Sequence, residues 1–275
     1  MAERFVKMHG LGNDFVVLDH MDTPRELTAQ EAAFWADRRH GVGCDQVVQL
    51  LPSEGGVDAQ MRIYNPDGSQ AEMCGNAMRC VGLYLREHRQ MASELAVETL
   101  AGVIRPCVNS QAAITVDMGR PHWQGRTIPV DRDDEMVAVD VVVGGATYTM
   151  TALSMGNPHT VVRVADVEHF DLATIGPQVE HHALFPNRIN FEVVQVLSRD
   201  RIRMRVWERG AGITPACGTG ACAAAVACMR QGWVDRECTV VLDGGELQIT
   251  WLESDRVMMT GPATEVFRGE LVVEL

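Results

Sequence analysis

Two stretches of the 275-residue chain keep step with each other at about half its length. Arg62-Ile-Tyr-Asn65 ends nine positions before Cys74, and Arg205-Val-Trp-Glu208 ends nine positions before Cys217, so tetrads and cysteines alike lie 143 positions apart. Gly12-Asn13 and Gly156-Asn157 are 144 apart, as are Gln46 and Asn190. A β-rich run follows each Gly-Asn, Phe15 to Asp19 in one half and Thr160 to Val164 in the other. Short Gly-Asn matches are common by themselves; four polar or cysteine positions in register are not. A repeat of this period points to two pseudo-twofold-related domains. The expected boundaries are 1–118 with 264–275 for the first and 119–263 for the second. Matched polar residues would then face one interdomain cleft, a usual place for ligands.

Local patterning gives the domains their character. Ala113 to Met118, Val137 to Val143, Thr239 to Leu242 and Glu246 to Trp251 read as short strands between Gly, Pro and Asp turns. The run Arg199 to Arg205 alternates like a half-buried strand. Helix is predicted over Ala29 to Arg39 and after each key cysteine. Asn76 to Arg89 places apolar residues at Met78, Val81 and Leu85 and ends on Arg86 and Arg89. Gly218 to Met229 is apolar all round and must be enclosed. The fold class is α/β of the α+β kind: in each domain a curved, mainly antiparallel sheet or barrel around a central helix, with a cysteine at the helix start.

Composition removes several classes of function. A net charge of −13 disfavours nucleic acid, which needs clustered cations. No apolar stretch approaches the roughly 20 residues of a membrane span, and MAERFVKMHG lacks an apolar signal segment, so a cytoplasmic protein is expected. Of the 24 basic residues only Lys7 is a lysine, which argues against a pyridoxal phosphate Schiff base and for no cofactor. Lys7 itself reads as structural. The 8 cysteines are too sparse for a disulfide scaffold. No CxxC occurs, so no metal is expected.

What remains is the chemistry of two thiols. A helix N-terminus favours the thiolate, and the amides of Gly75-Asn76 and Gly218-Thr219 would offer donors to an anion. A carboxylate held there with its α-carbon between two sulfurs could lose a proton to one thiolate and gain one from the opposite thiol, inverting the stereocentre. The thiols would titrate as a coupled pair. Cys80, Cys222, Cys228 and Cys238 read as packing residues; Cys44, in a turn, could lie near the site.

The chain also resembles the diaminopimelate epimerase family over essentially its full length. The likeness rests on Lys7-Met-His-Gly-Leu-Gly-Asn-Asp-Phe15, Arg39-His-Gly-Val-Gly-Cys-Asp-Gln46 and Asn65-Pro-Asp-Gly-Ser-Gln-Ala-Glu-Met-Cys-Gly-Asn76. Met155-Gly-Asn-Pro-His159, Phe185-Pro-Asn-Arg-Ile-Asn190 and the segments opening at Glu208 and Ala216 continue it. The resemblance implies cofactor-free conversion of LL-diaminopimelate, a small diamino dicarboxylate, to the meso form on the route to lysine and peptidoglycan. It makes Cys74 and Cys217 the acid/base pair, assisted by His159 and Glu208. Implied substrate contacts are Asn13, Gln46, Asn65, Asn157, Asn190, Glu208 and Arg209, with the amides of Gly75, Asn76, Gly218 and Thr219. A cation such as Arg209 suits the distal carboxylate of such a substrate. His159 alone could equally be a loop histidine capping backbone.

Some positions depart from the family pattern. Ala77 and Ile213 stand where glycine and glutamate are usual, and a Cβ at 77 could crowd the helix start. Phe267-Arg268 replaces a Tyr-Asp pair whose tyrosine marks a dimer contact, so the implied homodimer would use aromatic packing at Phe267. Two other readings compete: a related cofactor-independent racemase of proline, hydroxyproline or another amino acid, and a redox or ligand sensor joining Cys74 to Cys217 in a reversible disulfide.

Overall fold

The computed structural model describes residues 2–53 and 55–272. In chain order the elements are β1 (Ala2–Gly10), β2 (Asn13–Asp19), α1 (Ala29–Ala36), β3 (Gln46–Leu51), β4 (Ala59–Tyr64), β5 (Gln70–Ala71), α2 (Gly75–His88), β6 (Val97–Thr99), β7 (Gly102–Ile104), β8 (Cys107–Ser110) and β9 (Ala113–Asp117). Then follow β10 (Val139–Val143), β11 (Ala146–Ser154), β12 (Pro158–Arg163), α3 (Leu172–Glu180), β13 (Asn190–Ser198), β14 (Arg201–Glu208), β15 (Gly212–Thr214), α4 (Gly218–Arg230), β16 (Glu237–Leu242), β17 (Gly245–Trp251), β18 (Val257–Gly261) and β19 (Thr264–Val272). The chain divides into two compact units, Met1–Asp117 with Gly261–Leu275, and Met118–Thr260. Met118 thus falls in the second unit and Gly261 to Ala263 in the first, a small shift from the boundaries read off the sequence.

Each unit repeats one strand program. The first orders its strands β19-β1-β2-β3-β4-β6-β7, and the second β10-β11-β12-β13-β14-β16-β17 with β18 beyond. β2–β3 and β4–β6 are parallel in the first unit, as are β12–β13 and β14–β16 in the second; the other neighbours on these paths are antiparallel. Register agrees to the residue where β3 and β5 join their neighbours. Phe15 pairs with Gln46 as His159 pairs with Asn190, both 144 on, and Ile63 pairs with Ala71 as Val206 pairs with Thr214, both 143 on. Between β13 and β14 the second unit is one residue shorter, which accounts for the change of offset. The strands form open, curved sheets, so of the two forms expected the barrel is set aside: among the described residues neither path closes on itself.

Glycine supports the repeat where the backbone needs it. Gly12 (φ 89°) and Gly156 (φ 99°) are both left-handed just before the matched asparagines, a conformation that costs a side-chain-bearing residue dearly. β2 is buried from Phe15 through Leu18 and so reads as a continuous apolar run, whereas β14 alternates because one of its faces is more open.

The helices follow from caps and composition. Thr28 and Glu31 form a reciprocal capping box that starts α1. α1 stops at Ala36, three residues short of the predicted Arg39, because the carboxylate of Asp37 accepts from the amides of Arg39 and His40 and turns the chain. α4, rich in alanine, is buried at nearly every position from Gly218 to Met229. It contacts β11, β12, β13, β14, β16 and β17 of its own sheet, and α2 contacts β1, β2, β8 and β9 of the first unit. Among the described residues no helix is long and apolar enough to cross a membrane.

Lys7 is fixed in β1. Its ammonium pairs with Asp14 at 2.6 Å and donates to the Gly43 carbonyl. Burial by itself would raise the Asp14 carboxyl, but hydrogen bonds from Arg38 and Lys7 hold it well below the usual carboxylate range. Its ionised form therefore stabilises the fold at neutral pH, a contribution that fades as pH falls below the unfolded value of about 3.9.

Candidate active site

In the first unit, Cys74 is the N-cap of α2, with an extended backbone (φ −142°, ψ 117°). An N-cap Ser or Asp would turn its side chain back onto the helix amides; the Cys74 side chain makes no such bond, so those donors stay open to a ligand. Its Sγ lies 3.9 Å from Asn13 Oδ1, which also accepts from Asn76 Nδ2 at 3.1 Å. Asn13 is steered from behind: its Nδ2 donates to Asp45 Oδ2 at 3.0 Å, and Asp45 pairs with Arg38. Asn76 is buried, and its Oδ1 has no hydrogen-bond partner among the described residues. Gln46 and Asn65 form a second contact, Nε2 to Oδ1 at 2.9 Å, and Asn65 is anchored to Ser69. Asn13, Cys74 and Asn76 thus meet directly, as do Gln46 and Asn65. Ala77 is fully buried in the first turn of α2, which still begins at Gly75.

The second unit builds the matching helix start differently. Cys217 caps α4 (φ −124°, ψ 112°), again without a side-chain cap bond, and its Sγ lies 3.6 Å from Thr219 Oγ1. Asn190 Nδ2 donates to the Pro158 carbonyl at 2.8 Å, and its Oδ1 accepts from the Arg209 amide at 2.8 Å. The Arg209 guanidinium reaches the Asn187 carbonyl at 3.2 Å. Glu208 accepts from the Thr214 hydroxyl. Glu180, buried, holds this turn from beneath, accepting from Trp207 Nε1 at 2.6 Å and from the Gly210 amide at 2.9 Å.

His159 is not a loop residue. It lies in β12 with no exposed surface, its Nδ1 2.7 Å from Glu192 Oε1 and its Nε2 2.8 Å from Asn157 Oδ1. The pairing of strand and loop assignments differs from the turn reading because Pro158 opens the strand, where its missing N–H costs no ladder bond.

Electrostatics at Cys217 also departs from expectation. A helix start was expected to favour the thiolate, yet burial pushes this thiol well above its ordinary value, and the carboxylates of Glu208 and Glu192 push further in the same direction. Burial and both carboxylates thus favour the thiol over the thiolate at Cys217. Cys44, Cys80, Cys228 and Cys238 are likewise buried and pushed up to about 12, which suits inert packing, and places Cys44 outside the reactive set. Cys222 is buried in α4, while Cys107 is half-buried.

Three residues in these clusters escaped the reading of the sequence: Asp45, Glu180 and Glu192. Only Glu192 left a visible signal, a single acid inside the apolar run Phe191-Glu-Val-Val194.

Comparison with known proteins bears on the whole chain. A family model described as diaminopimelate epimerase matches residues 5–124 and 151–266. A diaminopimelate epimerase from Magnetococcus marinus is 81% identical over 272 residues, covering 99% of this chain and 98% of that protein. Among solved structures, a PhzF-family phenazine biosynthesis protein from Enterococcus faecalis has a TM-score of 0.74 at 14% identity, covering 99% of this chain and all of that one. A hydroxyproline epimerase from Agrobacterium vitis with bound hydroxyproline has a TM-score of 0.65 at 14% identity, covering 98% of this chain and 92% of that one. At such identities the likeness is one of fold.

Proposed function

The chain belongs to the diaminopimelate epimerase family, and is thus an isomerase; on that premise we propose that it converts LL-diaminopimelate to the meso form with two thiols and no cofactor. The observation that carries the mechanism is the pair of cysteines, Cys74 and Cys217, capping helices at matching places of a duplicated strand program, each with uncapped amides behind it.

The α-proton of an amino acid is a weak acid, so its removal needs both a base and stabilisation of the charge that develops on the carboxylate. The open amides of Gly75, Asn76, Gly218 and Thr219 and the positive ends of α2 and α4 supply the latter. One sulfur, as thiolate, takes the α-proton; the other, as thiol, returns a proton to the opposite face. The raised Cys217 thiol supports its serving as the donor in the free enzyme, which leaves Cys74 as the base. Return of the product reverses the roles. Lys7, the sole lysine, is tied to Asp14 and Gly43, which supports a route without a Schiff base. Asn13, Gln46, Asn65, Asn157 and Asn190 orient the ammonium and carboxylate groups without adding charge near the thiols. Arg209 receives the distal carboxylate.

The reading includes a cytoplasmic homodimer serving lysine and peptidoglycan supply. For the dimer the supporting feature is β19, which exposes Val266, Phe267 and Val272 and among the described residues pairs only with β1, while Phe267 packs edge-on against Phe5.

Incubation of the reduced enzyme with LL-diaminopimelate in deuterated water is the direct test. Deuterium is expected at a single α-carbon, with the meso isomer accumulating. Lack of exchange in folded, reduced protein rejects the reading, and turnover of proline or hydroxyproline instead would transfer it to the related racemases.

A further inference from the structure

Beneath the start of α4 lies a buried pair, one member of which, Glu192, has no part in the mechanism above. Glu192 of β13 and His159 of β12 are both without exposed surface and meet at 2.7 Å. Glu192 Oε2 has no hydrogen-bond partner among the described residues. A polar pair so placed costs desolvation that a well-packed apolar pair does not, so packing alone does not call for it.

The first unit makes the same point by contrast. Positions matching His159 and Glu192, 144 residues earlier, are Phe15 and Val48, both fully buried. One strand program thus closes its core with an apolar pair under Cys74 and with a hydrogen-bonded polar pair under Cys217. Gly220 completes the difference. A Cβ there would lie 2.8 Å from Glu192 Oε1 and 3.2 Å from Cys217 Sγ, so carboxylate and sulfur flank one spot that only glycine leaves open. Its counterpart 143 positions earlier, Ala77, carries the Cβ.

We propose that Glu192 is a positioning residue for the two-thiol reaction: bonded to His159 and set against Gly220, it makes the Cys217 half of the pair the half that holds the proton. The inference rests on the proposed epimerase reading. The ionisable groups set around Cys217 are His159 on β12, Glu192 on β13 and Glu208 on β14. Both Glu208 and Glu192 raise the Cys217 thiol, Glu208 the more; Glu208 is hydrogen-bonded to Thr214, while Glu192, hydrogen-bonded to His159, is the carboxylate set against Gly220 at the helix start. Burial pushes the Glu192 carboxyl up, with His159 opposing. Through His159 the same carboxylate sets the orientation of Asn157, a proposed substrate contact.

The test compares the full-length wild type with Glu192→Gln, and with Glu192→Val, which copies Val48. Ultraviolet thiolate absorbance is titrated for each protein and for its Cys217→Ser counterpart, and the difference isolates Cys217. In Glu192→Gln the Cys217 midpoint is expected to fall by about one pH unit. kcat for diaminopimelate is expected to drop about tenfold or more, with KM within about twofold. Glu192→Val should shift the thiol in the same direction, which keeps the question open to measurement if one variant folds poorly. An unchanged Cys217 midpoint together with unchanged kcat in a folded variant overturns the proposal. The thiol titration needs no substrate, so it still decides the role of Glu192 if the wild type fails to epimerise diaminopimelate.

Discussion

Cys217→Ser is expected to lower epimerisation of diaminopimelate by roughly 100-fold to 10,000-fold while leaving thermal unfolding close to that of the wild type, and Cys74→Ser to do the same. A hydroxyl is isosteric enough to keep the helix start, and neither sulfur caps its helix, so little stability rides on the substitution. What is lost is acidity: a serine hydroxyl neither ionises near neutral pH nor hands over a proton as a thiol does. The two variants should differ in what survives. With Cys74 alone, the isomer that presents its proton to that side can still exchange it with solvent, without inversion. Coupled measurement of isomer ratio and α-deuterium separates the two events. Full turnover by either folded variant would show that a single thiol suffices and would remove the two-thiol mechanism.

A second large effect comes from rebuilding the second unit in the image of the first. The double variant His159→Phe with Glu192→Val recreates the Phe15 and Val48 pair at the matching register. Exchange of a buried polar pair for apolar groups of fitting shape is often neutral or stabilising, whereas removal of one partner costs about 1–3 kcal/mol or more by leaving the other buried and unsatisfied. Calorimetry should therefore find the double variant at least as stable as the wild type and His159→Phe well below it. Turnover should move the opposite way, falling about 100-fold or more in the double variant. A double variant that retains activity would mean that the buried pair serves the fold and not the reaction.

Much of this was legible because polar residues at an unusual spacing are costly to keep by accident. Asn13, Gln46, Asn65 and Cys74 and their counterparts Asn157, Asn190, Glu208 and Cys217 mark the repeat, and the strand registers follow the same offsets. The least legible element was α3, which the periodicity did not reveal: Gly176 and Pro177 stand in its middle and read as a break. Both are explained locally. A Cβ on Gly176 would come within 2.6 Å of the Trp207 ring, so the helix needs glycine to approach β14. The repeat held the missing signal, since the N-caps Thr28 of α1 and Asp171 of α3 stand 143 positions apart. Glu192 was harder still. Alternation and burial patterns treat an acid in an apolar strand as noise, and only the partner across the parallel ladder, His159, gives it meaning. At Cys217 the sequence shows the helix start but not the rest: a helix dipole acts along one axis, while desolvation and two nearby carboxylates act from the whole surroundings.

The pairing of Lys7 with Asp14 reaches beyond the site. It leaves the chain with one side-chain amine, and that amine is 8% exposed in the folded protein. Acylating reagents that modify most proteins across their surface find no lysine to modify on this one. Lysine acylation becomes instead a counter of molecules in which the β1–β2 hairpin has opened, readable by mass at a single residue.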